Sequence, residues 1–581
     1  AEVVVDSGVY HLSDPFSYLI PTELEEHVHV GSVVTVPFNT QESIGVVLSI
    51  GTINKAGLRG IYGLASDYRI PEALMNLANI ISQRYVCTPY DALRFVLPPL
   101  TKNSKNRTAI ISSKESARNS RCTYVATQIG ESTEELIIQR IKRLPKVRRI
   151  VILPSAREVV RLAQILQSSH IEYIEVGSHL AKSAQKSAYL SAHTGSSVLV
   201  IGTRSAIFAP LPSLDEIIVV NEWSQHLYEQ KAPYWNTRDF AIMRGQVESA
   251  EVFFVSSTPS TELMKHIQQE HVHTVTKRKF SIVRNRYRVT TAPDSYLQVV
   301  RRGLKEGAVL VAVAEKNFSN LFLCKRCRTV AKCKCGGRIA MASRNTFFCT
   351  LCSESSRDWR CRECGINQWV MLSNGAEKIV EELGRSLPGV PILLSTADKP
   401  LDFSQNENCV VIATSGMEPR NEQGYAAIVL LNGEELLSRP FVRAEEELLH
   451  RWFNTLQQMK RNGEIYSSLA LAHKISQAIV AQDPIKLLVG ELSERRELRL
   501  PPIQDLILIE SKTENLASLR AKLQEQFENC VTNLSHDSHR ITVILAPEIL
   551  EDVAASLRAL QKLRSINKKV PLKIMMNPFA F

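Results

Sequence analysis

The sequence predicts a multidomain α/β protein, and three features predict it. At 581 residues the chain is too long for one ordinary domain. Through its middle, β-branched runs alternate with segments of helical periodicity, the pattern of parallel sheets faced by helices. Eight of its twelve cysteines fall between Cys324 and Cys364, spaced as a metal-holding insertion rather than as a disulfide framework.

Taken in order, residues 1–100 read as a β-rich unit. Val33–Phe38 and Ile44–Ile50 are short strands separated by polar turn residues, a helix follows near Pro71–Tyr85, and Pro98-Pro99 ends the unit. Residues 101–121, rich in Lys, Asn, Ser and Arg, read as a linker. Residues 122–275 form a first α/β block, with strands at Arg149–Leu153, Val198–Ile201, Ile217–Val220 and Val252–Val255 and a helix over Ala156–Leu166. Residues 276–480 form a second, with strands at Val309–Val313, Ile392–Leu394, Val410–Ala413 and Ala427–Leu431. The cysteine segment, 321–367, interrupts this block after its first strand. Residues 481–581 read as an α+β module with strands at Leu506–Ile509, Ile541–Leu545 and Val570–Ile574.

Composition is that of a globular protein, 44% hydrophobic and 22% charged, without low-complexity tracts. No apolar run is long enough to span a bilayer, and the first residues carry neither basic nor apolar regions of a signal peptide, so a cytoplasmic location is expected. The net charge of +11 favours a polyanionic partner, most simply nucleic acid. Basic residues cluster at Lys142, Arg143, Lys146, Arg148 and Arg149, and again at Lys277, Arg278, Lys279, Arg284, Arg286 and Arg288. Either run by itself reads as a solvated face.

The cysteines are paired as Cys324/Cys327, Cys333/Cys335, Cys349/Cys352 and Cys361/Cys364. Eight thiolates suffice for two tetrahedral, closed, structural zinc sites. The second pair is C-x-C rather than C-x2-C, which leaves Cys335 irregular. Lys325, Arg326, Arg328, Lys332, Lys334 and Arg338 lie among them with Phe348 and Trp359; contact with nucleic acid and a solvated knuckle surface are both open. Neither a Ser-His-Asp nor a Cys-His catalytic set is present.

Nearly the full length of the chain resembles the PriA family of replication-restart helicases. Phe16-Ser17-Tyr18-Leu19-Ile20-Pro21 is similar to the family's N-terminal Phe-Asp-Tyr-Leu-x-Pro element, with Ser17 in place of the aspartate. Gly202-Thr203-Arg204-Ser205-Ala206 resembles its GTRSA motif. Tyr228–Phe240 resembles its aromatic-rich loop, and Ser257-Thr258-Pro259 its Ser-Ala-Thr-Pro. Glu491–Leu498 followed by Leu500-Pro501-Pro502 resembles the entry to its C-terminal domain. The resemblance implies two RecA-like helicase lobes, an N-terminal domain that binds DNA 3′ ends, an inserted double zinc knuckle and an α+β C-terminal domain. It implies DNA contacts from Phe16, Tyr18, Thr203, Arg204, Trp223, Tyr228, Tyr234 and Trp235. Stacking or phosphate contact and ordinary packing are both open for these. It also implies interleaved metal sites, Cys324, Cys327, Cys361 and Cys364 on one ion and Cys333, Cys335, Cys349 and Cys352 on the other.

Three departures bear on mechanism. A P-loop needs G-x4-G-K-[ST] to cradle phosphate, neutralise it and hold magnesium; the matching stretch, Tyr124–Glu135, keeps one glycine, lacks the lysine and carries Glu131, Glu134 and Glu135. The family's Asp-Glu-Glu-His reads Asn221-Glu222-Trp223-Ser224, and its arginine-finger motif is absent near Arg451–Leu456. A separate winged-helix domain has no room in the linker. The expectation is a degenerate ATPase, more a scaffold than an enzyme, with no catalytic and no nucleotide-binding residues. It would hold two zinc ions and bind forked and single-stranded DNA, primosome proteins and single-stranded-DNA-binding protein, but no membrane. It would mark stalled or abandoned forks and nucleate primosome assembly for reloading the replicative helicase. Two alternatives are an active ATP-dependent 3′-to-5′ helicase with a non-standard nucleotide site, and a zinc-ribbon protein of transcription or RNA metabolism.

Overall fold

The computed structural model describes residues 1–52, 57–98, 120–275, 287–292, 294–313, 321–327, 329–343, 346–349, 354–356, 359–372, 376–401, 408–439, 441–527, 530–534 and 538–580. The linker segment 101–119, Cys352, Arg328 and the basic run from Lys277 to Arg286 lie outside the described residues.

The first sheet is antiparallel, in the order Phe16–Ser17, Glu2–Val5, Gln41–Ser49, Ser32–Phe38, Gly63–Arg69. Its valine doublets follow from burial on both faces. Val3, Val5, Val34, Val36 and Val47 fill the sheet's own small core. Val4, Val33 and Val46 point the other way, into a core shared with the next sheet.

That next sheet has seven parallel strands, in the order Val272–Val275, Cys122–Ala126, Glu251–Ser256, Glu216–Val220, Arg149–Ile152, Leu199–Gly202, Ile174–Val176. With its helices it is the first lobe. The helices start on side-chain caps: Ser132, Ser155, Asn236 and Ser260 each accept a backbone N–H of the first turn, and Ser155 with Glu158 forms a capping box.

The second lobe is a six-stranded parallel sheet, in the order Arg288–Ala292, Met459–Ala470, Tyr425–Leu431, Val309–Val313, Val410–Thr414, Ile392–Ser395. Alternation decides its faces: Leu310 and Ala312 enter one core, Val309, Val311 and Val313 the other. Between Val309–Val313 and the helix Ala376–Ser386 lies the cysteine segment, with two small sheets of its own.

The last sheet is antiparallel, in the order Cys530–Leu534, Arg540–Leu545, Asp505–Glu510, Lys573–Met576, covered by the helices Ala517–Gln526 and Leu550–Ile566. It returns to the start of the chain. His11 Nδ1 lies 2.8 Å from Ser565 Oγ, and Lys562 pairs with Asp14 at 2.6 Å. Val4, Tyr124, Ile507 and Met576 belong to one apolar core.

Among the described residues no helix is long and apolar enough to cross a membrane.

Candidate nucleic-acid interface and metal centres

The stretch where the resemblance expects a phosphate loop leaves the strand Cys122–Ala126, turns at Gly130 (φ +77°) and enters the helix Thr133–Arg143. Its polar groups face the second lobe. The Gly130 N–H donates to the Leu456 carbonyl at 3.1 Å. Gln457 donates to Thr127 Oγ1 and accepts from Thr133 Oγ1, both at 2.9 Å. The Tyr287 hydroxyl donates to the Ile129 carbonyl at 3.0 Å. Arg420 pairs with Glu134 and donates to Ser132 Oγ at 2.6 Å. A Cβ at Gly130 would stand 2.8 Å from both the Met459 carbonyl and Tyr287 Oη.

Where the resemblance expects Asp-Glu-Glu-His, Asn221 is buried with a positive φ of 48°, and its amide donates to Asn454 Oδ1 of the second lobe at 3.0 Å. Glu222 faces away from the cleft. It accepts from the Ser260 N–H at 2.6 Å, from Ser260 Oγ at 2.9 Å and from Arg238 at 3.2 Å. Burial raises its carboxyl and the Arg238 charge opposes that rise. Trp223 stacks on His450 of the second lobe, centroids 4.9 Å apart and planes 13° off parallel.

The DNA-contact candidates divide by exposure. Trp235 is 1% exposed, stacked on Phe240 and set edge-on to Phe208, so neither face of its indole is offered to a base. Tyr18 is buried and its hydroxyl is bound to the Pro37 carbonyl at 3.1 Å. Tyr228 is buried edge-on to Phe579. Half-buried are Phe16, packed on Phe38 at 5.3 Å, and Tyr234, with the Lys573 ammonium 5.6 Å from its ring. Thr203 begins the short helix Arg204–Phe208. The Arg204 guanidinium, 31% exposed, is held by Glu229 at 3.0 Å and the His226 carbonyl. Phe16, Thr203, Arg204, Trp223 and Tyr234 therefore keep accessible surface, while Tyr18, Tyr228 and Trp235 do not.

The first basic run is not one solvated face. Lys142, Arg143 and Lys146 are exposed, but Arg149 is buried at 3.3 Å from Glu216, and Arg148 is tied to the Pro212 carbonyl at 2.8 Å. Both arginines secure strand ends.

A cavity of about 500 Å³ lies between the lobes, lined in part by Arg157, Glu158, Trp223, His226, Glu418 and Arg451. Burial pushes the Glu158 carboxyl up to about 7, against hydrogen bonds from Ser155. Arg157 and Arg161 cross the cavity to the carbonyls of Leu401 (2.7 Å) and Glu418 (3.1 Å). Of these residues Trp223 and Arg451 are singled out by the sequence; Arg157, Glu158, His226 and Glu418 carry no motif, although Ser155-x-x-Glu158 is a capping box that marks a helix start.

In the cysteine segment, Cys324, Cys327, Cys361 and Cys364 converge, as do Cys333, Cys335 and Cys349, the sulfurs of each group lying within 4.8 Å of one another. A tetrahedral ion with Zn–S near 2.3 Å needs sulfurs about 3.8 Å apart; Cys324–Cys364 stand at 3.3 Å and Cys335–Cys349 at 3.4 Å. The residues fit a metal ion of that size. Cys335 is placed with its neighbours despite its irregular spacing. The Thr329 hydroxyl lies 2.9 Å from Cys327 Sγ, and its hydrogen bond lowers that thiol to about 6, toward the thiolate a metal requires. Around the sites, Phe322, Phe347 and Trp359 form a very small apolar core.

Residues 2–98 match the family model described as the 3′ DNA-binding domain (3′BD) of PriA. With the two parallel-sheet lobes and the cysteine clusters, this defines a class: a two-lobed α/β protein that carries a 3′ DNA-binding domain and cysteine clusters that fit a metal ion. Within that class the chain is a relative of the replication restart protein PriA. It is 26% identical over 566 residues to the probable replication restart protein PriA of Mycobacterium leprae, covering 87% of each chain. It is 23% identical over 616 residues to the replication restart protein PriA of Helicobacter pylori (strain 26695), covering 98% of this chain and 97% of that one. Among solved structures, S. cerevisiae Dbp5 bound to RNA and ADP BeF3 aligns with a TM-score of 0.33 at 10% identity, over 65% of this chain and 87% of that one. The DUF1998 helicase MrfA bound to DNA and AMPPNP aligns with a TM-score of 0.32 at 10% identity, over 64% and 48%.

Proposed function

We propose that the protein recognises stalled or abandoned replication forks and nucleates primosome assembly, so that the replicative helicase is reloaded, without hydrolysing ATP itself. The observation that carries this reading is the state of the phosphate-loop stretch. No lysine is present to neutralise phosphate, and the Gly130 N–H and the Thr127, Ser132, Thr133 and Glu134 side chains of the stretch are engaged by the second lobe. Asn221 supplies no carboxylate for magnesium, and the family's arginine-finger motif is absent near Arg451–Leu456. The 3′ DNA-binding domain supports binding at a DNA end, and the relatives' names support a role in restart.

In this reading two zinc ions hold the cysteine segment. Zinc supplies cross-links there, giving shape to a segment whose apolar core is too small to fold unaided. The segment's basic rim would meet DNA or acidic faces of partner proteins, including primosome proteins and single-stranded-DNA-binding protein.

The test is ATP hydrolysis by zinc-replete protein at saturating forked DNA, with binding followed by fluorescence anisotropy in the same tube. Tight fork binding without DNA-stimulated hydrolysis supports the scaffold. Stimulated turnover would return the protein to the helicases. Equal affinity for RNA and for branched DNA would instead favour a zinc-ribbon protein of RNA metabolism.

A further inference from the structure

Where a nucleotide would bridge two helicase-like lobes, this chain bridges them with its own side chains at several points around the cavity between them. At one end the segment 454–459 of the second lobe lies on the phosphate-loop stretch: Leu456 takes the Gly130 N–H, Gln457 clasps Thr127 and Thr133, and Arg420 closes on Ser132 and Glu134. At the middle, Asn221 bonds to Asn454, and Thr258 to His450.

At the other end sits a buried ionic cluster. Glu446 of the second lobe accepts from the Thr261 N–H at 2.9 Å and from Arg495 at 3.1 Å. Arg443 of the second lobe pairs with Glu262 of the first, which Arg238 also approaches at 3.5 Å. Each of these charged side chains is at most 12% exposed. Beside them Ile129 and Met264, both from the first lobe, are buried inside an apolar core otherwise built by the second lobe and the helix Ile485–Glu497. A nucleotide-driven motor needs a cleft whose polar groups are left for the ligand, and whose lobes part when it leaves. Here the Gly130 N–H and the Thr127, Ser132 and Thr133 side chains of the phosphate-loop stretch are already given to second-lobe partners.

We propose that the two lobes are locked into one body, with the segment 454–459 and Arg420 acting as an internal plug in the place of a phosphate chain. The lobes neither open nor close in response to nucleotide or DNA. The lock deepens the scaffold reading but can fail separately from it. A protein that never hydrolyses ATP can still have lobes that swing.

Hydrogen exchange followed by mass spectrometry on the full-length, zinc-replete protein tests this. Peptides covering residues 127–133 and 454–459 are expected to exchange slowly and in one population. Their rates should stay within about twofold on adding magnesium with a non-hydrolysable ATP analogue, or forked DNA. Gln457→Ala combined with Arg420→Ala should raise exchange in 127–133 by roughly tenfold, while the strand Val309–Val313 stays protected. Both substitutions lie at the partly accessible end of the seam, so the fold should survive them. Glu262→Gln gives a second probe at the buried end and should raise exchange in 261–268. Two exchanging populations in the wild type, or deprotection of either peptide by nucleotide or DNA, would overturn the lock even if no hydrolysis is ever seen. So would a double variant whose 127–133 exchange is unchanged.

Discussion

Arg443 is 4% exposed, and its buried charge is compensated by Glu262 and Glu446. Burial alone would raise the Glu262 carboxyl, but Arg443 and Arg238 outweigh it and hold it at about 2; Glu446 is likewise drawn well below its ordinary value by Arg443 and Arg495. Such depressed carboxyls stabilise the fold above the unfolded-state value near 4.5, and that contribution is lost as pH falls toward 2. Glu446→Ala leaves two guanidiniums facing a hole, and should cost about 3–5 kcal/mol in urea denaturation. Glu158 has the opposite sign. Its carboxyl, faced by Ser155, Glu134 and Arg161, is raised to about 7, so the folded state holds a proton that the unfolded state has released. Its contribution therefore falls as pH rises from about 4.5 to 7. Glu158→Gln keeps the cap's acceptor and should flatten the pH dependence of the melting temperature across that window. Residues are also where the sequence is least decisive. A tryptophan between basic residues reads the same whether it stacks on a base or on Phe240, and only the surrounding elements buried Trp235 while leaving Trp223 partly open. Arg149 looked like one of a cationic run because its partner, Glu216, is distant in sequence.

Among elements, the cysteine segment was the most legible, because metal ligands must be close in space and are largely close in the chain. Its small sheets pair strands of two to five residues around Phe322, Phe347 and Trp369. Chelation should therefore unfold this segment while the two parallel sheets persist, seen as a change in Trp359 and Trp369 fluorescence with little change in far-ultraviolet circular dichroism. Cys361→Ser should remove one ion and spare the other, measured by metal content per chain. The central strands of both lobes were equally plain, since strands covered on both faces read as unbroken aliphatic runs. The long strand Met459–Ala470 escaped notice. Its first half, with Lys460, Arg461 and Asn462, is exposed at the sheet's end, and its pairing with Tyr425–Leu431 shifts register there. Exposed polar residues in a bulged strand carry no period-two signal. The seam between lobes was illegible for a related reason. Gln457, Arg420 and Asn454 are ordinary surface letters until a second lobe is set against them.

For the whole molecule, a net charge of +11 and a DNA-end-binding domain lead to a measurable expectation. The logarithm of fork affinity should fall linearly with that of salt concentration, by about 0.9 for each phosphate neutralised. Replacing exposed Lys142, Arg143 and Lys146 together by Gln should flatten that slope and leave the order of affinities among DNA substrates unchanged. The return of the last sheet to the first has another consequence. His11 meets Ser565 across 554 positions of chain, and Arg558 reaches the carbonyl of Gln83. Val4 and Tyr124 share one core with Ile507 and Met576. During synthesis the face that these residues cover stays wet until the strand Lys573–Met576 has left the ribosome. Closure across so much chain is slow, and a nascent chain stalled before Asp505 would present an uncovered apolar face to chaperones and to its neighbours on the polysome.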